Sequence, residues 1–280
     1  MQDVVVPLIT PFTLDGKIDF VVLESLLLFH LQKKTSQILV LGTTGEANLL
    51  SFEEKKAIIE ISAHILDGKK PLIVGISSPS TNESVTLCKL AKEYGAQKVL
   101  CTLPYYVKTT KMGLFKHFEA VQNVGLDVIL YENPSRIGAS FSIGLLKELE
   151  QFEKIQGIKA STTNLEWIQS VQLQTRFMVY CGDDFLIPSF LKMGIVHTIS
   201  ATANLFPDEM FLLGEEELDM LMLLNVLYLE PNPIGLKYAM SLKNMCQNVL
   251  RLPLVCATEH TQSTIDIALD KLTLRATFYS

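Results

Sequence analysis

No two cysteines in this chain are spaced Cys-x-x-Cys, and no pair of its five histidines has the spacing of metal ligands. The five cysteines (Cys88, Cys101, Cys181, Cys246 and Cys256) are odd in number and scattered. That pattern fits buried thiols in a reducing compartment better than a disulfide frame or a zinc site, so no metal cofactor is expected. No run approaches the ~18 apolar residues of a membrane span. The opening Met1-Gln2-Asp3 lacks the basic stretch of a signal peptide. The expected location is the cytoplasm. Acidic residues outnumber basic ones 30 to 24, for a formal net charge of −6. Without clustered Lys and Arg, the chain lacks the electrostatic footprint of nucleic-acid or anionic-membrane binding. Gly-x-Gly-x-x-Gly, a Walker A loop, internal repeats and low-complexity stretches are also missing.

What is present is apolar material. Hydrophobic residues make up 48% and charged residues 19% of 280. That is enough for a large core, with too little charge for a disordered chain, and the length suits one (β/α)₈ domain of ~250 residues. Apolar runs of strand length, bounded by turn residues, occur at Val4–Thr10, Gln37–Gly42, Pro71–Ile76, Lys98–Pro104, Asp127–Glu132, Ile155–Ala160, Met178–Asp183 and Thr198–Thr202. They are continuous rather than alternating, as strands covered on both faces should be.

Helix-like segments lie between the runs. Ser51-Phe-Glu-Glu54 reads as a capping box, with Ala57, Ile58, Ile61 and Ile65 at helical spacing behind it. Ser80-Thr-Asn-Glu83 reads the same way, followed by Val85, Leu87, Leu90 and Ala91. Further helices are expected at Phe20–Gln32, Lys111–Val124, Ser142–Leu149, Leu165–Leu173 and Phe185–Met193, and Pro207-Asp-Glu reads as a helix start. Eight strands alternating with helices predict a parallel sheet, and eight is a number that closes with a filled interior. The alternative, an open doubly wound sheet, lacks its glycine fingerprint. The expected fold class is α/β, a (β/α)₈ TIM barrel with a C-terminal helical extension. Residues 1–206 carry the barrel through strand eight. Residues 207–280 supply the last barrel helix and an appended helical segment, as one structural unit with the barrel.

Barrel enzymes place their chemistry at the C-terminal strand ends. There this chain puts Gly42-Thr43-Thr44-Gly45-Glu46, Pro104-Tyr105-Tyr106, Tyr131 through Arg136, Gly157-Ile158-Lys159, Gly182-Asp183-Asp184 and Ile199-Ser200. A lysine inside an apolar strand is costly to bury charged, so its pKa should fall. A neutral amine attacks ketones and forms Schiff bases. Lys159 reads equally as a side chain whose ammonium reaches solvent at the strand end. The glycine–threonine loop reads as a tight turn or as a small-carboxylate site. Tyr105, Tyr106 and Tyr131 read as ordinary aromatic packing with a hydrogen-bonded tip. Arg136 reads as a surface charge or as a fork for a carboxylate. The acidic pair Asp183-Asp184 is weak evidence for glycoside chemistry.

Taken together, Gly42-Thr-Thr-Gly-Glu46, Tyr131-x-x-Pro-x-Arg136, Gly157-Ile-Lys159 and Gly182-Asp-Asp184 stand in the order and spacing of a known family. With Glu230-Pro-Asn-Pro-Ile234 and Arg251-Leu-Pro253, nearly the whole chain resembles the dihydrodipicolinate synthase family, within the N-acetylneuraminate lyase superfamily of class I aldolases. The resemblance implies that Lys159 captures pyruvate as an imine, which loses a methyl proton and adds as an enamine to L-aspartate-4-semialdehyde. Cyclisation and release follow, with no external cofactor. It implies a proton relay of Thr44, Tyr131 and Tyr106, with Tyr131 as general acid–base. Tyr106 would cross a dimer interface, within a homo-oligomer arranged as a dimer of dimers. Thr43 and Thr44 match residues near the pyruvate carboxylate, and Arg136 matches the residue holding the semialdehyde carboxylate. Gly182 and Ile199 match positions that shape the pocket. A sugar-acid aldolase and a non-catalytic carboxylate-binding barrel are the alternatives, and Arg136 favours the synthase.

Two departures from the family stand out. Tyr131 is followed by Glu132 where the family has asparagine, a carboxylate that either tunes the pocket or points to solvent. Phe52, Lys55 and Pro79 stand where lysine-inhibited members carry two histidines and an asparagine, while Glu83 and Tyr105 match. Weak or absent inhibition by lysine is expected.

Overall fold

Eight parallel strands close on themselves in the computed structural model, which describes residues 3–212 and 218–278. The strands are β1 (Asp3–Pro7), β2 (Gln37–Val40), β3 (Leu72–Gly75), β4 (Lys98–Thr102), β5 (Asp127–Glu132), β6 (Ile155–Ala160), β7 (Met178–Cys181) and β8 (His197–Ile199). β1 pairs with both β2 and β8, which completes the ring. The fold is a (β/α)₈ TIM barrel with helices outside and further helices at the C-terminal end. Two expected strands, β5 and β6, match end to end. Several others stop two or three residues short of the apolar run, because the chain stays buried as it turns over the barrel mouth: Leu8, Ile9 and Leu103 are all buried beyond their strands.

Alternation along each strand sorts side chains between two cores. Val5, Leu39, Ile73, Leu100, Ile129, Tyr131, Tyr180 and Ile199 fill the barrel interior. Their neighbours, such as Val4, Val6, Ile38 and Val40, face the surrounding helices.

The helix Phe52–Leu66 begins with the expected capping box, Ser51 and Glu54 each satisfying the other's backbone N–H. Its buried face is Ile58, Ile59, Ser62 and Leu66, so the expected stripe is rotated by about one residue. At the helix Thr81–Glu93 only half of the expected box forms. Ser80 caps the Glu83 N–H, but the Glu83 carboxylate instead accepts from the Ser78 hydroxyl at 2.7 Å. Of its expected apolar stripe, Leu87 and Ala91 are buried, alongside Ser84 and Cys88. The Phe185–Met193 segment divides into a short 3₁₀ turn, Asp184–Leu186, and a helix, Ile187–Lys192.

After β8 come the helices Pro207–Leu212, Leu218–Val226, Ile234–Leu242 and Glu259–Phe278. The last packs on the two before it. Within the expected helical run 207–280, residues 213–217 and 279–280 lie outside the described residues. Among the described residues, no helix is long and apolar enough to cross a membrane.

Gly75 ends β3 directly beneath Leu41, which has a left-handed backbone (φ 58°). A Cβ at Gly75 would overlap the Leu41 carbonyl, backbone that cannot swing away. The glycine lets the loop after β2 descend onto the barrel mouth. Gly75→Ala should destabilise the chain by about 1–3 kcal/mol, the usual cost of overpacking. A urea midpoint unchanged from wild type would contradict this close approach.

Candidate active site

Parallel register puts Tyr131 of β5 opposite Lys159 of β6, and Lys159 opposite Tyr180 of β7. All three point into the barrel. Gly157, two residues before Lys159 on the same face, leaves room for the Tyr180 ring: a Cβ there would lie 3.1 Å from Tyr180 Cε2. Lys159 is only 6% exposed, so the solvent-reaching alternative does not hold. Its Nζ lies 4.4 Å from the centre of the Tyr131 ring. Among the described residues it has no carboxylate within ion-pair distance, unlike the second buried lysine, Lys237.

A cavity of about 360 Å³ opens above Lys159. Thr43, Thr44, Tyr131, Arg136, Lys159, Gly182 and Ile199 all line it, as do Asn133, Ser161, Asp183 and Asn232. Seven of the eight residues nominated from sequence are therefore together. Tyr106 is not among them: it is 97% exposed with a left-handed backbone (φ 67°). Within one chain the Thr44–Tyr131–Tyr106 relay is open. The Thr44 hydroxyl instead accepts from Asn232 Nδ2 at 2.9 Å.

Gly182 is a packing requirement of the lysine. A Cβ there would lie 2.9 Å from Lys159 Cε and would overlap the Ser161 hydroxyl. Arg136 sits on a one-turn helix, Pro134–Ile137, capped by Asn133. Its Nη2 donates to the Asn232 carbonyl at 3.1 Å, which aims the guanidinium along the cavity rim. A second cavity of about 420 Å³ adjoins the first and shares Thr43, Tyr131, Asn133, Arg136 and Asn232 with it. Tyr105 lines this outer space, its hydroxyl donating to Asn48 Oδ1 at 3.3 Å.

The Tyr131 hydroxyl accepts from Asn133 Nδ2 at 2.9 Å, and the Ser161 hydroxyl lies 3.5 Å away. Burial pushes the phenol's pKa up. The nearby Lys159 ammonium and the bonds from Ser161 and Asn133 outweigh that and bring it below its ordinary value of 10.0. Asp183 moves the other way: burial raises its carboxyl against the pull of Lys159, Ser161 and Arg136. The interior thus holds a phenol inclined to give up its proton and a carboxyl inclined to keep one.

Glu132 faces neither the cavity nor solvent. It is 2% exposed, and its Oε2 accepts the Phe141 N–H at 3.0 Å, tying down the loop that carries Arg136. Burial raises its pKa, opposed by the bonds from Phe141 and Ser140.

Sequence reasoning passed over Asn133 and Ser161, although each follows a nominated residue by two positions and so shares its face. Asn232 gave no local signal for its role, being 188 positions from Thr44. Among the described residues, no group of three or more His, Cys, Asp or Glu could hold a metal ion.

Lys159→Met removes the positive charge beside Tyr131 and leaves burial to dominate. The Tyr131 phenol should then titrate at higher pH than in wild type, as read by NMR of Cζ-labelled tyrosine. An unchanged or lower titration point would contradict the electrostatic account.

The sequence model of the dihydrodipicolinate synthetase family matches residues 1–272. The 4-hydroxy-tetrahydrodipicolinate synthase of Clostridium novyi (strain NT) is 34% identical over 280 residues, covering 95% of this chain and 94% of that protein. The crystal structure of dihydrodipicolinate synthase from Aquifex aeolicus superposes with a TM-score of 0.91 at 33% identity, covering 98% of this chain and 99% of that one. The 4-hydroxy-tetrahydrodipicolinate synthase of Methylacidiphilum fumariolicum SolV gives 0.92 at 29% identity, covering 99% and 97%. By sequence and by fold, this chain belongs to the dihydrodipicolinate synthetase family.

Proposed function

We propose that this chain is a lyase that joins pyruvate to L-aspartate-4-semialdehyde through an imine on Lys159, giving 4-hydroxy-tetrahydrodipicolinate. That is the first committed step of diaminopimelate and lysine biosynthesis. The observation that carries the reading is one amine, buried without a carboxylate partner, beside a phenol whose pKa is lowered.

The amine attacks in its neutral form, and Tyr131, as the phenolate that its lowered pKa favours, is the adjacent group suited to take up a proton and return it. The Lys159 nitrogen then bonds to the keto carbon of pyruvate, and the keto oxygen leaves as water. Loss of a methyl proton makes an enamine, whose terminal carbon bonds to the aldehyde carbon of the second substrate. The substrate's own amine then displaces Lys159 and closes the ring. Lysine supplies the covalent chemistry in this scheme, so no external cofactor enters it.

Thr43 and Thr44 would hold the pyruvate carboxylate, and Arg136 on the rim that of the semialdehyde. Gly182 and Ile199 shape the wall. Tyr106, exposed next to the half-exposed Val107, would complete the relay from a neighbouring copy, in a dimer of dimers. The C-terminal helices would act with the barrel as one unit, in the cytoplasm.

Lys159→Ala should lower turnover by roughly 10³-fold or more, followed through a coupled reductase. Borohydride with pyruvate should fix a covalent adduct on Lys159 in wild type and not in the variant. Trapping without turnover on the semialdehyde would move the substrate to a sugar acid. No trapping would leave a carboxylate-binding barrel.

Inhibition by lysine should be weak or absent. Glu83, the acid suited to bind a ligand ammonium, already accepts from Ser78 and lies 3.6 Å from the Lys55 ammonium. The missing histidines and asparagine would each cost such a site ~1.5–3 kcal/mol if they made charge-assisted bonds. Half-inhibition at micromolar lysine would overturn this.

A further inference from the structure

Lys237, on the helix Ile234–Leu242, is 0% exposed and lies 78 positions beyond Lys159. Its Nζ lies 2.5 Å from Glu46 Oε1, donates to the Val249 carbonyl at 2.9 Å and sits 4.1 Å from the centre of the Phe12 ring. The other Glu46 oxygen accepts the Arg251 N–H at 3.0 Å. Arg251 in turn grips Glu54 with both arms of its guanidinium, at 2.7 and 2.5 Å. The remaining titratable group against the pair is Cys246, whose Sγ lies 3.9 Å from the Lys237 carbonyl. Lys55 lines the outer cavity together with Glu46.

Glu46 ends the loop that carries Thr43 and Thr44, and its backbone is left-handed (φ 53°). Five residues before Lys237, Asn232 touches the same loop at the Thr44 hydroxyl and also holds Arg136. The Lys237 segment therefore grips the threonine loop at two points, one ionic and one polar. A buried ion pair is a poor device for stability, since apolar replacements of similar volume often match it or improve on it. It is a good device for fixing where a carboxylate, and the backbone attached to it, must lie.

We propose that Lys237 is a positioning residue: through Glu46 it holds the Thr43–Thr44 loop in register with Asn232, so that the Thr44 hydroxyl stands at the wall of the Lys159 cavity. The inference rests on the imine reading above for its effect on rate, while its structural part stands apart from the chemistry.

Lys237→Met keeps the length and apolar stem but leaves Glu46 buried without its cation. At saturating pyruvate, borohydride should still load Lys159 fully. The kcat should fall roughly 10–100-fold, the scale of a misplaced group near the reacting atoms, with the pyruvate KM changed at most about twofold. In Glu46→Gln/Lys237→Met no buried charge is left unpaired but the loop still lacks its anchor, so kcat should stay low with pyruvate loading intact; a kcat restored to wild type would overturn the proposal. A wild-type kcat in Lys237→Met would overturn the proposal. So would a fall in kcat matched by an equal fall in pyruvate loading, which would make Lys237 a folding residue only.

Should Lys237→Met fail to fold, Lys237→Arg takes its place. The longer side chain keeps the charge but displaces Glu46, and kcat should drop about tenfold with loading intact; an unchanged kcat would overturn the proposal. Backbone hydrogen exchange over residues 42–49 separates this inference from the imine reading. Exchange there should speed up in the variant that folds, and unchanged exchange would overturn the positioning claim. Failure of wild type to load pyruvate would sink the chemical reading alone.

Discussion

The pairing of β5 with β6 sets Tyr131 against Lys159, and the rest of the site is arranged around that contact. Alternation turns both side chains inward, and barrel closure leaves each of them only 6% exposed. An ammonium enclosed in this way needs either a carboxylate or a reaction. Lys237, also buried, has the carboxylate. Lys159 has an aromatic face and, nearby, an acid that burial inclines toward its neutral form. Two lysines of equal intrinsic chemistry are thus divided between one held to a carboxylate and one left facing a cavity, and the division is made by what lies within 4 Å of each.

Much of this could be read from the sequence because it is local. Continuous apolar runs marked the strands, and the two that bear the central pair, Asp127–Glu132 and Ile155–Ala160, matched end to end. Other strands were read too long, because apolar residues continue into the loops that roof the barrel. A run of Val, Ile and Leu does not say where hydrogen bonding to the neighbouring strand ceases. Ser80 and Glu83 had the letters of a capping box, but Ser78 offered the carboxylate a nearer hydroxyl.

Other parts were not legible because they depend on distant segments. Thr44 could be nominated from its loop, but its partner Asn232 comes from far along the chain, as does Lys237 for Glu46. Glu132 shows the same limit. Its sequence position beside Tyr131 left open a part in the pocket or a face to solvent, and alternation turned it to the opposite face, where it fastens a loop. Tyr106 could be marked by resemblance alone, since its surroundings in a single chain are solvent.

The dependence of the threonine loop on residues near the other end of the chain has a consequence for biosynthesis. A ribosome releases the chain from the N-terminus onward, and the barrel strands are all out by Ile199. Asn232, Lys237 and Arg251 follow later. A nascent chain can close its barrel and bury Lys159 while the loop beside that lysine still lacks the groups that seat it. Completion of the pocket then comes after the fold, and a chain cut short before residue 232 would carry Lys159 in an unfinished one.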